Sequence, residues 1–64
     1  MMTKIIRLPE VQELTGLKRT TIYEKMKAGE FPIQIALTSR SVGWLQNEVE
    51  AWIQSKISRT RISA

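Results

Sequence analysis

Sixty-four residues with ten Lys and Arg against six acids, all glutamate, describe one small basic domain of formal charge +4. With no Cys, no His and no Asp, the chain has no thiol nucleophile, disulfide or zinc–thiolate site and lacks the usual general base, so neither an enzyme nor a bound metal or cofactor is expected. A hydrophobic share of 42% with 25% charged residues is a globular balance, and no run approaches the ~20 apolar residues of a membrane span.

The first element begins at Leu8-Pro9-Glu10-Val11-Gln12-Glu13-Leu14. Proline suits the first turn of a helix, where its missing N–H would be unpaired anyway. Val11 and Leu14 are three apart and are read as one apolar side, with Glu10, Gln12 and Glu13 outside. Gly16 then stops the helix. A second helix is expected over Arg19 to Ala28, with Ile22 and Met26 at i and i+4 and Leu17 just upstream. Gly29 ends it and Pro32 prevents early resumption. Two short helices across a tight Thr15-Gly16-Leu17 turn resemble a helix-turn-helix.

The period then changes. Ile33, Ile35 and Leu37 alternate with Gln34 and Ala36 as a strand, Thr38-Ser39-Arg40-Ser41 is a polar turn, and Val42-Gly43-Trp44 returns as the partner strand. A two-stranded hairpin alone is marginal, so it must pack on the helices. The last helix is expected from about Asn47 to Ile57, with Val49, Trp52, Ile53 and Ile57 inward and Asn47 with Glu50 as a capping box. Trp44, Trp52 and Phe31 are read as core. The expected fold is mainly α with a small β-hairpin, a winged helix-turn-helix of three helices plus a two-stranded wing. It occupies residues 1–57, and residues 58–64 form a basic, frayed tail.

The cations are unevenly placed. Lys18, Arg19, Lys25 and Lys27 face only Glu24 in the central segment, and Lys56, Arg59 and Arg61 crowd the C-terminal end. With Ile22 and Met26 toward the core, Arg19, Thr20, Tyr23 and Lys27 fall on or near the opposite face of the second helix, with Lys18 beside them. Long cations neutralise phosphates, and short hydroxyls reach phosphate oxygens or base edges. This face is therefore read as a DNA-reading face. Thr21 either joins it or bonds back to its own backbone. Glu24 either accepts from a cytosine amino group or, the favoured reading, holds neighbouring cations. Arg40 between Ser39 and Ser41 on a protruding turn suits a DNA backbone or a minor groove.

Several stretches together resemble the AlpA family of small prophage regulators, related to winged-helix excisionases and more distantly to MerR-type DNA-binding domains. They are Ile6-Arg7-Leu8-Pro9-Glu10-Val11, Leu14-Thr15-Gly16-Leu17, Arg19-Thr20-Thr21-Ile22-Tyr23, Phe31-Pro32, Val42-Gly43-Trp44, and Glu48-Val49-Glu50-Ala51-Trp52-Ile53, in that order along residues 5–57. Lys18 stands where the family commonly has Ser or a similar helix cap. The resemblance implies a sequence-specific DNA-binding protein of a prophage or genomic island, with Arg19, Thr20, Thr21 and Tyr23 on DNA and a wing at Ser39, Arg40 and Ser41. It implies an excisionase, a recombination directionality factor that bends attachment-site DNA for integrase, or alternatively a transcription regulator of an integrase gene. A basic module binding an acidic protein ranks below both. Double-stranded DNA is the expected partner, with integrase and neighbouring copies of the chain beside it. The N-terminal stretch lacks the apolar core of a signal peptide, so a cytoplasmic, nucleoid-associated protein is expected.

Overall fold

A computed structural model describes residues 4–61. Six elements follow in order: β1 (Ile5–Ile6), α1 (Leu8–Thr15), α2 (Arg19–Lys27), β2 (Ile35–Ala36), β3 (Val42–Leu45) and α3 (Gln46–Arg61). The three strands form one antiparallel sheet in the order β1-β3-β2. Ile6 pairs with Trp44 and Ile5 with Leu45, while Ile35 pairs with Gly43 and Ala36 with Val42. Mainly helical, with a hairpin after the second helix, the architecture is a winged helix-turn-helix.

The core holds one residue from nearly every part of the chain: Ile6 from β1, Val11 from α1, Ile22 from α2, Phe31 from the connection, Trp44 from β3 and Val49 from α3. Leu8, Leu17, Tyr23, Met26, Val42, Trp52 and Ile53 pack around this cluster. Trp44 is fully buried, and its indole N–H donates to the Pro32 carbonyl at 3.1 Å. Such a partner is what a buried indole requires. Trp52 is half-buried, meets Phe31 edge to face at 4.9 Å, and donates from Nε1 to the Glu30 carbonyl at 2.7 Å. The connection after α2 is thus held by both tryptophans.

Local signals account for the helix-turn-helix. The Arg7 N–H donates to the Glu10 carboxylate at 3.1 Å, closing the start of α1. Gly16 ends α1 at φ 73°, a left-handed conformation that glycine adopts without Cβ strain, and its N–H donates to the Gln12 carbonyl. Lys18 caps α2 without a side-chain hydrogen bond.

Four expectations are corrected. A third strand, β1, completes the sheet on the far edge of β3. Leu14 is 46% exposed, because α1 turns Leu8 and Val11 inward and leaves Leu14 on its outer side. α3 starts at Gln46, directly after β3, so Asn47 lies inside the first turn and caps nothing; the Gln46 N–H instead donates to the Lys4 carbonyl at 2.8 Å. α3 also continues through Arg61, past its expected end at Ile57, with Ser58, Arg59 and Thr60 of the expected tail exposed; residues 62–64 of that tail lie outside the described residues. Among the described residues, no helix is long and apolar enough to cross a membrane.

Candidate nucleic-acid interface

The outer side of α2 carries a shallow concavity lined by Arg19, Thr20, Tyr23, Glu24 and Lys27. Positions 19, 20, 23, 24 and 27 recur at three- and four-residue spacing, so they form one continuous stripe along the helix. Arg19, Thr20, Glu24 and Lys27 are exposed. Tyr23 is half-buried, its ring edge toward Trp44 with centroids 6.3 Å apart and planes at 65°. The Arg19 guanidinium carbon sits 5.6 Å from the centre of the same ring. Tyr23 therefore works in both directions: inward it ties α2 to β3, and outward it offers Arg19 an aromatic platform. A guanidinium held this way keeps its fork of N–H donors free for phosphate oxygens or a guanine edge.

Of the residues singled out from the sequence, Arg19, Thr20, Tyr23 and Lys27 come together here, with Glu24 among them. Lys18 is exposed at the N-terminal end of α2, where amide N–H groups and the helix dipole favour an anion. Thr21 is half-buried and lies outside this concavity.

The wing tip is built by local hydrogen bonds. The Ser41 carbonyl accepts from the N–H groups of Leu37 at 2.8 Å and Thr38 at 3.2 Å, closing the hairpin. Thr38 Oγ1 accepts from the Arg40 N–H at 3.2 Å, which fixes the loop backbone and leaves the Arg40 side chain outside. Ser39 and Arg40 are exposed, while Ser41 is half-buried and its carbonyl serves the turn. Because β3 carries both Trp44 and the returning strand of the wing, the Tyr23–Trp44 contact couples the placement of α2 to that of the hairpin.

This arrangement suits a polyanion: exposed cations without a deep enclosed cleft, a hydroxyl among them, and a protruding loop with an arginine at its tip. Among the described residues, no cluster of His, Cys, Asp or Glu could hold a metal ion.

Comparison with known proteins adds three findings. The family model of the prophage CP4-57 regulatory protein (AlpA) matches residues 4–57. An uncharacterized protein, ORF88, of Enterobacteria phage P4 is 47% identical over 55 residues, covering 86% of this chain and 62% of its own length. The DNA-binding transcriptional activator AlpA of Escherichia coli K12 is 34% identical over 59 residues, covering 83% of this chain and 84% of its own. The chain thus spans less than two thirds of the phage P4 protein.

Proposed function

The chain belongs to the AlpA family of prophage regulatory proteins, and from that premise we propose that it is a phage-type regulator that binds double-stranded DNA sequence-specifically through α2 and the wing. The observation that carries this is the concavity on α2, where exposed Arg19, Thr20 and Lys27 are gathered on one stripe with half-buried Tyr23. A major groove admits an α-helix, and base edges there present distinct donor and acceptor patterns. In this reading Thr20 approaches base edges, and Arg19, braced by Tyr23, takes a guanine or a phosphate. Lys18 and Lys27 neutralise phosphates, and the wing lays Ser39, Arg40 and Ser41 along the backbone. Glu24, set among the cations, accepts from a cytosine amino group or repels a misplaced phosphate.

Transcription control is the favoured output, because the E. coli relative of comparable length is named as a transcriptional activator. The same binding chemistry serves the excisionase reading, in which the protein bends attachment-site DNA for integrase. Footprinting the purified protein across attachment-site and integrase-promoter DNA tests both. Excision is then measured with integrase supplied from an independent promoter, alongside a reporter fused to the native one. Protection at the promoter with reporter activity supports regulation. Stimulated excision at constant integrase supports the directionality role. Identical affinity for every duplex overturns sequence-specific binding.

A further inference from the structure

The C-terminal half of α3 brings its cations to the same concavity as a cation of α2, a neighbourhood that segment-by-segment charge counting does not show. Lys56 and Arg59 on α3 line a second concavity together with Lys25 of α2. Its floor is aromatic: Phe31 and Trp52 meet edge to face there, and the Lys56 ammonium lies 5.3 Å from the Trp52 ring centre. That ring is fixed by its hydrogen bond to the Glu30 carbonyl, so Lys56 is held over a rigid surface. Glu30 and Glu48 also line this concavity. Glu48 lies eight residues before Lys56, ~12 Å along the helix axis, whereas Glu30 borders the cations, its N–H donating to the Lys25 carbonyl at 2.7 Å. Three cations against that one acid leave this end net positive.

The position of Lys25 gives this cluster its meaning. Tyr23 and Lys25 are two residues apart, about 200° around α2, and so project from opposite flanks. The Tyr23 flank meets Trp44 of the strand that carries the wing. The Lys25 flank faces the C-terminal half of α3 across the second concavity. The exposed stripe of α2 is thus bracketed by the wing's strand on one side and by a basic helix end on the other. A helix lying in a major groove has a phosphate backbone along each flank.

We propose that Lys25, Lys56 and Arg59 form a second phosphate-binding set, which grips the DNA strand on the side of α2 away from the wing. The inference rests on the reading of α2 as the helix that enters the groove. It adds that α3 is a DNA-contacting element and not only a core helix.

The test measures affinity against salt for the wild type, Arg59→Gln, Lys56→Gln/Arg59→Gln and Lys56→Arg, with folding checked by circular dichroism. The DNA probe is the duplex selected by the wild type from a random pool. Each lost phosphate contact should reduce the log–log salt slope by ~0.9. The double variant should therefore narrow the ratio of affinities at 50 and 200 mM salt by about 12-fold. Arg59→Gln, which leaves the Lys56–Trp52 contact in place, should narrow it by about 3.5-fold, and Lys56→Arg should match the wild type. Phosphate-ethylation interference on the same duplex should lose one strand's signal in the double variant and keep the signal opposite the wing. A folded double variant with wild-type slope and interference pattern overturns the proposal while leaving the α2 reading intact. If the wild type selects no sequence from the pool, the α2 reading itself fails.

Discussion

Replacing Tyr23 by leucine tests how the fold positions the proposed reading face. Leucine keeps apolar bulk but removes the edge contact with Trp44 at 6.3 Å and the ring under Arg19 at 5.6 Å. The aromatic pair is worth ~0.5–1.5 kcal/mol beyond area burial and the exposed cation–π contact ~0.5–1 kcal/mol. A loss of roughly 1–2.5 kcal/mol follows, against a total of ~3–10 kcal/mol for a domain of this length. Thermal unfolding should move down by roughly 5–15 °C. Tyr23→Phe keeps both ring contacts and should stay within ~0.5 kcal/mol of wild type, with DNA affinity nearly unchanged. The decisive assay is a double-mutant cycle between Tyr23→Leu and Arg19→Ala, read by DNA affinity below the melting range. If the ring braces Arg19, the two losses overlap by about two- to fivefold, a coupling of ~0.5–1 kcal/mol. Strict additivity, or a Tyr23→Phe variant as weak as Tyr23→Leu, would refute the bracing argument; the latter would make the hydroxyl a direct DNA contact.

Three further outcomes are expected. Gly43→Ala should destabilise by ~1–3 kcal/mol in chemical denaturation, because a Cβ there would lie 2.6 Å from Ile5 Cγ2 and 3.0 Å from the Ile6 carbonyl oxygen, forcing β1 off β3; an unchanged midpoint would show that β1 is not held against the sheet. Trp52→Ala should cost ~2–4 kcal/mol, less than the ~3–5 kcal/mol of a fully buried tryptophan since it is half-exposed, and the matching Trp44→Ala should leave the chain unfolded by circular dichroism. DNA binding should weaken with salt along a log–log slope of about −4 or steeper, as Lys18, Arg19, Lys27 and Arg40 alone supply that many cations; a slope near zero in filter-binding titrations would rule out the phosphate contacts.

Much of this was legible because punctuation and period agreed. Pro9, Gly16, Gly29 and Pro32 bound two helices whose inward positions, Val11 and Ile22, are fully buried, and the alternation around the polar turn located the hairpin. β1 escaped because two residues are too short to show a period. The start of α3 escaped because the chain passes from strand to helix without a loop, so Asn47 looked like a cap although the backbone was already helical. Its far end was misplaced because the apolar pattern stops at Ile57 while the helix runs on without a buried face. At the α2 concavity, spacing alone brought Arg19, Thr20, Tyr23 and Lys27 together. It could not reveal that Tyr23 is half-buried against Trp44, nor that Lys25 lines a second concavity with residues of α3, since both depend on what packs beside α2.

The central claim is that α2 reads sequence while the wing grips the backbone. The most direct test is a paired titration of Thr20→Ala and Arg40→Ala on the selected duplex and on a scrambled one, at one fixed salt concentration. Thr20 is exposed within the α2 concavity and Arg40 at the loop tip, so neither substitution disturbs the core. Thr20→Ala should cost ~1–3 kcal/mol on the selected duplex only, narrowing the gap to non-specific binding. Arg40→Ala should weaken both duplexes by similar factors. If Arg40→Ala abolished discrimination while Thr20→Ala preserved it, the wing would be the reader, and the assignment of α2 would be contradicted.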